Sequence, residues 1–160
     1  MILDNSFDFN VLEIRDLGFT VNEHLPAELP TDWISSVDVG FSETSNWIEV
    51  TVGVDFRDEQ EKTLVSGRVL TRFFVSQLEQ YFSPDREYIL TLPNDYDLTL
   101  FSLSFTHTRA ILTKNLAGTK YSKVIVPLVN PNEFFLQFRV KKEVEDLPTK
   151  KRRIKRTVKN

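Results

Sequence analysis

His24 and His107 are the only imidazoles in this 160-residue chain, and they bound the acid–base chemistry it could perform. Neither stands in a zinc-type motif, in which a helix presents a second histidine at i+4 to the same ion. Ser102, Ser104 and His107 lie close together, but on a stretch that reads as a helix, where serine and histidine usually pack or face solvent. No acid, base and nucleophile form a set. The absence of cysteine removes thiolate metal sites, disulfides, iron–sulfur clusters and a cysteine nucleophile. The five glycines are scattered singly, so no loop is built to cradle a phosphate. The expectation is a chain without catalytic residues, metal or cofactor.

Aromatic residues and charge are more informative. Thirteen Phe, four Tyr and two Trp exceed what a small core needs, so part of this surface is available to a partner. Hydrophobic residues at 41% and charged residues at 27% are ordinary globular values and argue against wholesale disorder. The net charge of −3 hides a split: residues 149–160 hold seven basic residues and no acid, while the preceding 148 hold 13 basic against 23 acidic, a net of −10. We therefore divide the chain into a folded body, 1–148, and a basic tail, 149–160, expected to be solvated and disordered. Lys150, Lys151, Arg152, Arg153, Lys155 and Arg156 are the candidate tail contacts. They could neutralise nucleic-acid phosphates, which makes a nucleic-acid-binding accessory the alternative function, although no aromatic stands among them for base stacking. No apolar run approaches 18 residues, so no membrane insertion is expected. Met1-Ile2-Leu3-Asp4 lacks the basic and apolar regions of a signal peptide, so a cytoplasmic location is expected.

Periodicity supplies the elements that position these residues. Phe7 to Glu23 reads as a strand whose apolar parity changes at Leu17-Gly18, the mark of a bulge. Leu25 to Asp32, with Pro26 and Pro30, is a loop. Trp33, Ser35, Val37, Val39 and Phe41 share one face of a second strand, and Ile48, Val50, Val52, Val54 and Phe56 one face of a third. Val65, Val69, Phe73 and Val75 mark a fourth. Asn94 as N-cap, Asp95 and Asp97 in the first turn, Lys114 in the last and Gly118 beyond it delimit a long helix. Lys123 to Val129 is an extended crossing, and Asn130-Pro131-Asn132-Glu133 opens a second helix ended by Pro148. Four strands followed by two helices give an α+β fold with a four-stranded antiparallel sheet.

That order, with the segment Leu92 to Phe135, resembles the SecB family of bacterial export chaperones. The resemblance rests on Leu92-Pro93-Asn94 before the long helix, on Leu116-Ala117-Gly118 after it, and on Val126-Pro127-Leu128-Val129-Asn130 leading into Glu133-Phe134-Phe135. The family segment reads Pro-Val-Asn, so Leu128 is an insertion. The motifs cover about a quarter of the chain, and the strand order extends the match across residues 7–140. The resemblance implies an ATP-independent holdase, a dimer of dimers with long helices sandwiched between sheets and apolar grooves that hold unfolded clients. One family branch serves protein transport by delivering preproteins to the export motor. Another accompanies toxin–antitoxin systems, with a link to phage defence, and protects an aggregation-prone antitoxin. A modestly acidic body and a basic tail depart from the export branch and shift weight to the second.

Strand parity and the resemblance together nominate residues. Trp33, Trp47, Leu70, Phe74, Tyr81 and Phe82, with Phe134, Phe135 and Phe138 on the second helix, are the candidate client groove. Leu98, Phe101, Phe105 and Leu112 are the candidate oligomer interface on the long helix. The expected partners are a non-native or aggregation-prone polypeptide and further copies of the chain, as a dimer or homotetramer.

Overall fold

β-branched and aromatic residues at every second position build four long strands, each wide enough in register to bury one full row of side chains. In the computed structural model, residues 7–42, 44–83, 86–93, 95–130, 132 and 156–159 are described. The strands are β1 (Phe9–Val21), β2 (Asp32–Ser42), β3 (Trp47–Arg57) and β4 (Thr63–Val75). A single 3₁₀ turn, Leu78–Tyr81, leads into a small hairpin of β5 (Phe82–Ser83) and β6 (Arg86–Leu90). The helix α1 (Tyr96–Leu116) follows, and a short strand β7 (Arg156–Lys159) ends the described chain. The main sheet runs β1-β4-β3-β2-β7 with every pairing antiparallel. The expected α+β class, with four antiparallel strands followed by one long helix, is what the chain adopts. The expected second helix, over 133–148, lies outside the described residues.

Register assigns the two faces. Val37, Val39 and Phe41 of β2 stand opposite Val52, Val50 and Ile48 of β3, and Ile48, Val52 and Phe56 stand opposite Phe73, Val69 and Val65 of β4. This face meets α1 through Phe101, Phe105, Leu112 and Leu116, all buried. Trp33 joins it, its ring 6.5 Å from Phe105 in an edge contact. β1 carries two bulges, at Leu12 and at Leu17-Gly18. The second is the parity change legible in the sequence, and Gly18 takes it with φ 152°, a value side-chain-bearing residues rarely adopt. Arg156–Lys159, within the segment expected to be a solvated tail, pairs with Val37–Ile34 at the outer edge of β2.

Helix and sheet approach closely at Gly67 of β4. A Cβ there would lie 2.0 Å from Leu112 Cδ2 and 3.6 Å from Phe19 Cδ2. Leu112 is itself 1% exposed and has no room to retreat. Inside the helix, Ser102, Ser104, Thr106 and Thr108 each donate their hydroxyl to the carbonyl four residues back, at 2.7–2.8 Å. This satisfies Ser104 and Thr108, which are buried. Asp95, not Asn94, stands at the N-cap, with φ 56° and no side-chain capping bond. The helix end is tied to the proline loop: Lys120 Nζ donates to the carbonyls of Glu23 and Leu25 at 3.1 and 2.6 Å, and Tyr121 Oη to that of Pro26 at 3.2 Å.

Gly67→Ala is expected to destabilise the fold by about 1–3 kcal/mol through overpacking against Leu112. Gly118→Ala, where a Cβ meets nothing within 4 Å, is expected to stay within about 0.5 kcal/mol of the parent. Urea titration of both variants measures the contrast, and equal effects would refute the close approach.

Candidate functional site

A helix with its side chains is about 10–12 Å across, whereas five strands at about 4.8 Å spacing span roughly 19 Å. One helix therefore cannot cover this sheet. α1 packs chiefly on the two central strands, β4 and β3, and touches β1 less. Apolar residues of the flanking strands remain uncovered beside it. On the β1 side, Val11 and Ile14 stand opposite Phe73 and Thr71, yet are 44% and 43% exposed. On the β2 side, Val39 stands opposite Val50 and is 60% exposed. Two apolar shelves thus flank the helix.

The β1 shelf continues into Leu12 and Leu17, the two bulged residues, both exposed. Among the described residues β1 has no strand on its outer side. A thirteen-residue edge strand with four exposed apolar residues is what soluble chains avoid unless the edge is used. The β2 shelf is bordered by Trp33 and Phe41, both half-buried, with the Phe41 ring 4.9 Å from Phe82. Beyond α1, in the crossing after Lys123, Val124 and Val126 are buried, while Ile125 and Leu128 are each 80% exposed. Arg109 Nε donates to the Val126 carbonyl at 3.1 Å and holds this crossing against the helix.

The sequence-nominated groove residues do not form one surface. Trp33 lies on the helix side. Trp47, Leu70 and Phe74 lie together on the opposite face: Trp47 pairs directly with Phe74, and Leu70 with Thr51. There the Arg72 guanidinium covers Trp47 at 5.2 Å from the ring centre. Arg72 also pairs with Glu13 at 3.3 Å and with Glu49, whose Oε1 accepts from Arg72 Nε at 2.7 Å, and Arg15 extends the row to Glu13. That charged ladder leaves only a small apolar patch. Tyr81 and Phe82 pack at the end of the core, Tyr81 5.5 Å from the Phe7 ring. Phe134, Phe135 and Phe138 lie outside the described residues, as do Lys150, Lys151, Arg152, Arg153 and Lys155. Sequence reasoning missed Val11, Ile14 and Val39, the last two on apolar parities that read as core; only the width of the sheet against that of the helix shows them uncovered.

The stripe expected at an oligomer interface lies against the chain's own sheet. Phe101, Phe105 and Leu112 are 5%, 7% and 1% exposed because they face the chain's own sheet, and Leu98 is half-buried. An apolar helical stripe finds the nearest apolar sheet, and here that sheet is intramolecular.

The two histidines differ in their surroundings. His107 Nδ1 lies 3.2 Å from the hydroxyl of the buried Thr71 in a hydrogen bond. His24 is exposed on an open depression lined by Thr20, Asn22, Glu23 and Thr63. Among the described residues, no three His, Asp or Glu gather as metal ligands, and no helix is long and apolar enough to cross a membrane.

No family model and no curated protein matches the sequence. Among solved structures, the chain is similar to a SecB-like chaperone of Mycobacterium tuberculosis, solved in complex with a ChAD peptide from the HigA1 antitoxin. The two are 12% identical, the match covers 76% of this chain and 90% of that one, and the TM-score is 0.49. A likeness at that level assigns no activity to this chain.

Burial lowers the His107 pKa from its ordinary 6.5. The folded state then binds this proton less tightly than the unfolded one. The His107 contribution to stability is full above pH 6.5 and is lost as pH falls through 6.5 toward the lower folded value. The urea midpoint should drop over that interval, and the His107→Gln variant should lack that part of the slope. An unchanged slope would show that His107 titrates alike in both states.

Proposed function

We propose that this chain is an ATP-independent holdase that binds non-native polypeptide on the apolar shelf of β2 beside α1. The observation that carries the reading is the uncovered apolar surface around an intact core: Val39, Ile125 and Leu128 are 60–80% exposed while the residues beneath them are buried. Surface of this kind is kept for a partner. The SecB-like motifs around α1, from Leu92-Pro93-Asn94 to Val126-Pro127-Leu128-Val129-Asn130, support the same class of activity.

The energetics suit holding rather than folding. Each client side chain of valine or leucine size gains about 1.5–3 kcal/mol on full burial. Fixing each client residue costs about 1–2 kcal/mol of backbone entropy. The net is a modest, reversible affinity that competes with aggregation and needs no nucleotide for release. Extended clients add main-chain bonds where a strand edge is open. In this reading the open edge of β1, with Leu12 and Ile14, joins a second copy. Antiparallel pairing of like strands is self-complementary about a two-fold axis and covers the exposed row. An aggregation-prone antitoxin is favoured over an export preprotein as client, because the modestly acidic body and basic tail depart from the export branch.

Light scattering of a chemically unfolded client diluted into buffer tests the reading. The parent chain is expected to suppress aggregation without ATP. The triple variant Val39→Ser, Ile125→Ser, Leu128→Ser should lose most of that suppression at near-parental stability, since exposed positions typically shift stability by no more than about 0.5 kcal/mol each. A parent chain without suppression sinks the proposal, as does a triple variant that suppresses equally well.

A further inference from the structure

An antiparallel strand bonds to its neighbour through every second residue and turns the backbone groups of the others to its far side. Bonds at the two ends of the β1–β4 pairing fix that phase: Asn22 N–H donates to the Leu64 carbonyl at 2.9 Å, and Ser76 N–H to the Asp8 carbonyl at 3.0 Å. β4 runs without a bulge between them, so its even-numbered residues bond to β1. Its odd-numbered residues turn to β3, as the bond from Val75 N–H to the Asn46 carbonyl shows. Glu13 and Arg15, opposite Arg72 and Leu70, therefore have their backbone groups taken up by β4. Ile14 and Asp16, opposite Thr71 and Val69, turn theirs to the edge that has no strand beside it among the described residues. The bulges at Leu12 and Leu17 bracket this regular stretch. Ile14 is 43% exposed on the helix side. Glu13 and Arg15 flank it on the other face, where Arg15 Nε donates to Glu13 Oε1 at 2.8 Å and Arg72 reaches Glu13 at 3.3 Å.

We propose that Glu13 and Arg15 form a charge code by which the β1 edge selects a second copy of this chain, antiparallel and in one register centred on Ile14. The proposal rests on the second copy that the holdase reading puts at this edge, and names the residues that choose it. With the two-fold axis at Ile14, the two Ile14 backbones exchange both their bonds, and each Glu13 stands opposite Arg15 of the other copy. These flanking positions form the closer kind of cross-strand pair, with Cα atoms roughly 4.5 Å apart. Opposite charges placed there stabilise the pairing. Each Glu13 keeps Arg72 of its own chain and gains a second guanidinium. Other registers fail for stated reasons. A slip of one residue sets the outward groups of Ile14 against Glu13 or Arg15, whose own are already bonded to β4. A slip of two sets Glu13 opposite Glu13 or Arg15 opposite Arg15, and like charges directly opposite are destabilising. An apolar client strand on this edge gains the backbone bonds but no charge pair. The edge thus favours its own copy and leaves clients to the β2 shelf.

The test uses full-length chains with reversed charges, followed by sedimentation velocity and by native mass spectrometry of mixtures. The parent is expected to self-associate. Glu13→Arg alone, or Arg15→Glu alone, turns both cross-strand pairs from attraction to repulsion, and each variant should self-associate at least about tenfold more weakly. Mixed in equal amounts, the two single variants place every new charge opposite its complement, and their hetero-association should return to within a few-fold of the parent. The double variant Glu13→Arg, Arg15→Glu should associate with itself like the parent yet fail to mix with the parent. Urea titration of each variant separates these effects from the lost contact between Glu13 and Arg72 within the chain. A monomeric parent overturns the code. So do single variants that associate as well as the parent, a mixture no tighter than its components, or a double variant that mixes freely with the parent. Client aggregation left unsuppressed by a parent that follows the charge rules sinks the holdase reading and leaves the code standing. Suppression by a parent that stays monomeric does the reverse.

Discussion

Leu112 occupies the space that a side chain at position 67 would need, and the placement of α1 follows from that contact. With glycine there, the helix settles onto β4 and β3, and Phe101, Phe105 and Leu116 complete a buried row above Ile48, Val52 and Phe73. Close packing gives each of these contacts its full dispersion energy. It also commits the only long helix among the described residues to the middle of the sheet. Everything beside that line, the shelf of Val11 and Ile14 and the shelf of Val39, is left uncovered as a geometric consequence.

The two faces of the sheet are thereby set to different purposes. The helix side is dry at its centre and apolar at its margins. The opposite side is crossed by the row Arg15, Glu13, Arg72 and Glu49, with Trp47 under Arg72. Partly exposed ion pairs of this kind add little stability, but they leave that face less inviting to an apolar chain. In the holdase reading a client lying along β2 meets the apolar shelf of Val39, whereas one approaching from the opposite face meets the row of ion pairs.

Much of this was legible in the residues. The alternation of Ile48 to Phe56, the row Trp33 to Phe41 and the bulge at Leu17-Gly18 depend on local pattern, and the strands follow it. The helix between Asp95 and Gly118 could be read from its end signals, although Asp97 to Thr106 alternates like a strand. Other features were hidden because they depend on distant partners. The stripe of Phe101, Phe105 and Leu112 is apolar whether it meets another subunit or its own sheet, and local pattern does not distinguish the two. Arg156–Lys159 reads as solvated charge because the edge it joins lies more than 110 residues earlier. Trp47 and Phe74 each lie on the polar parity of their strand, but their pairing and the Arg72 guanidinium over Trp47 come from strand register. Val39 looked like core because parity reports which way a residue points and not whether anything lies over it.

The central claim is that non-native polypeptide lies on the helix side of the sheet, along β2. The most direct measurement is site-specific photo-crosslinking, with p-benzoylphenylalanine placed singly at Val39 and at Arg68, which is exposed on the opposite face. An unfolded client diluted into each labelled chain should crosslink strongly at position 39 and at background level at position 68. Equal yields, or a stronger yield at 68, would contradict the account.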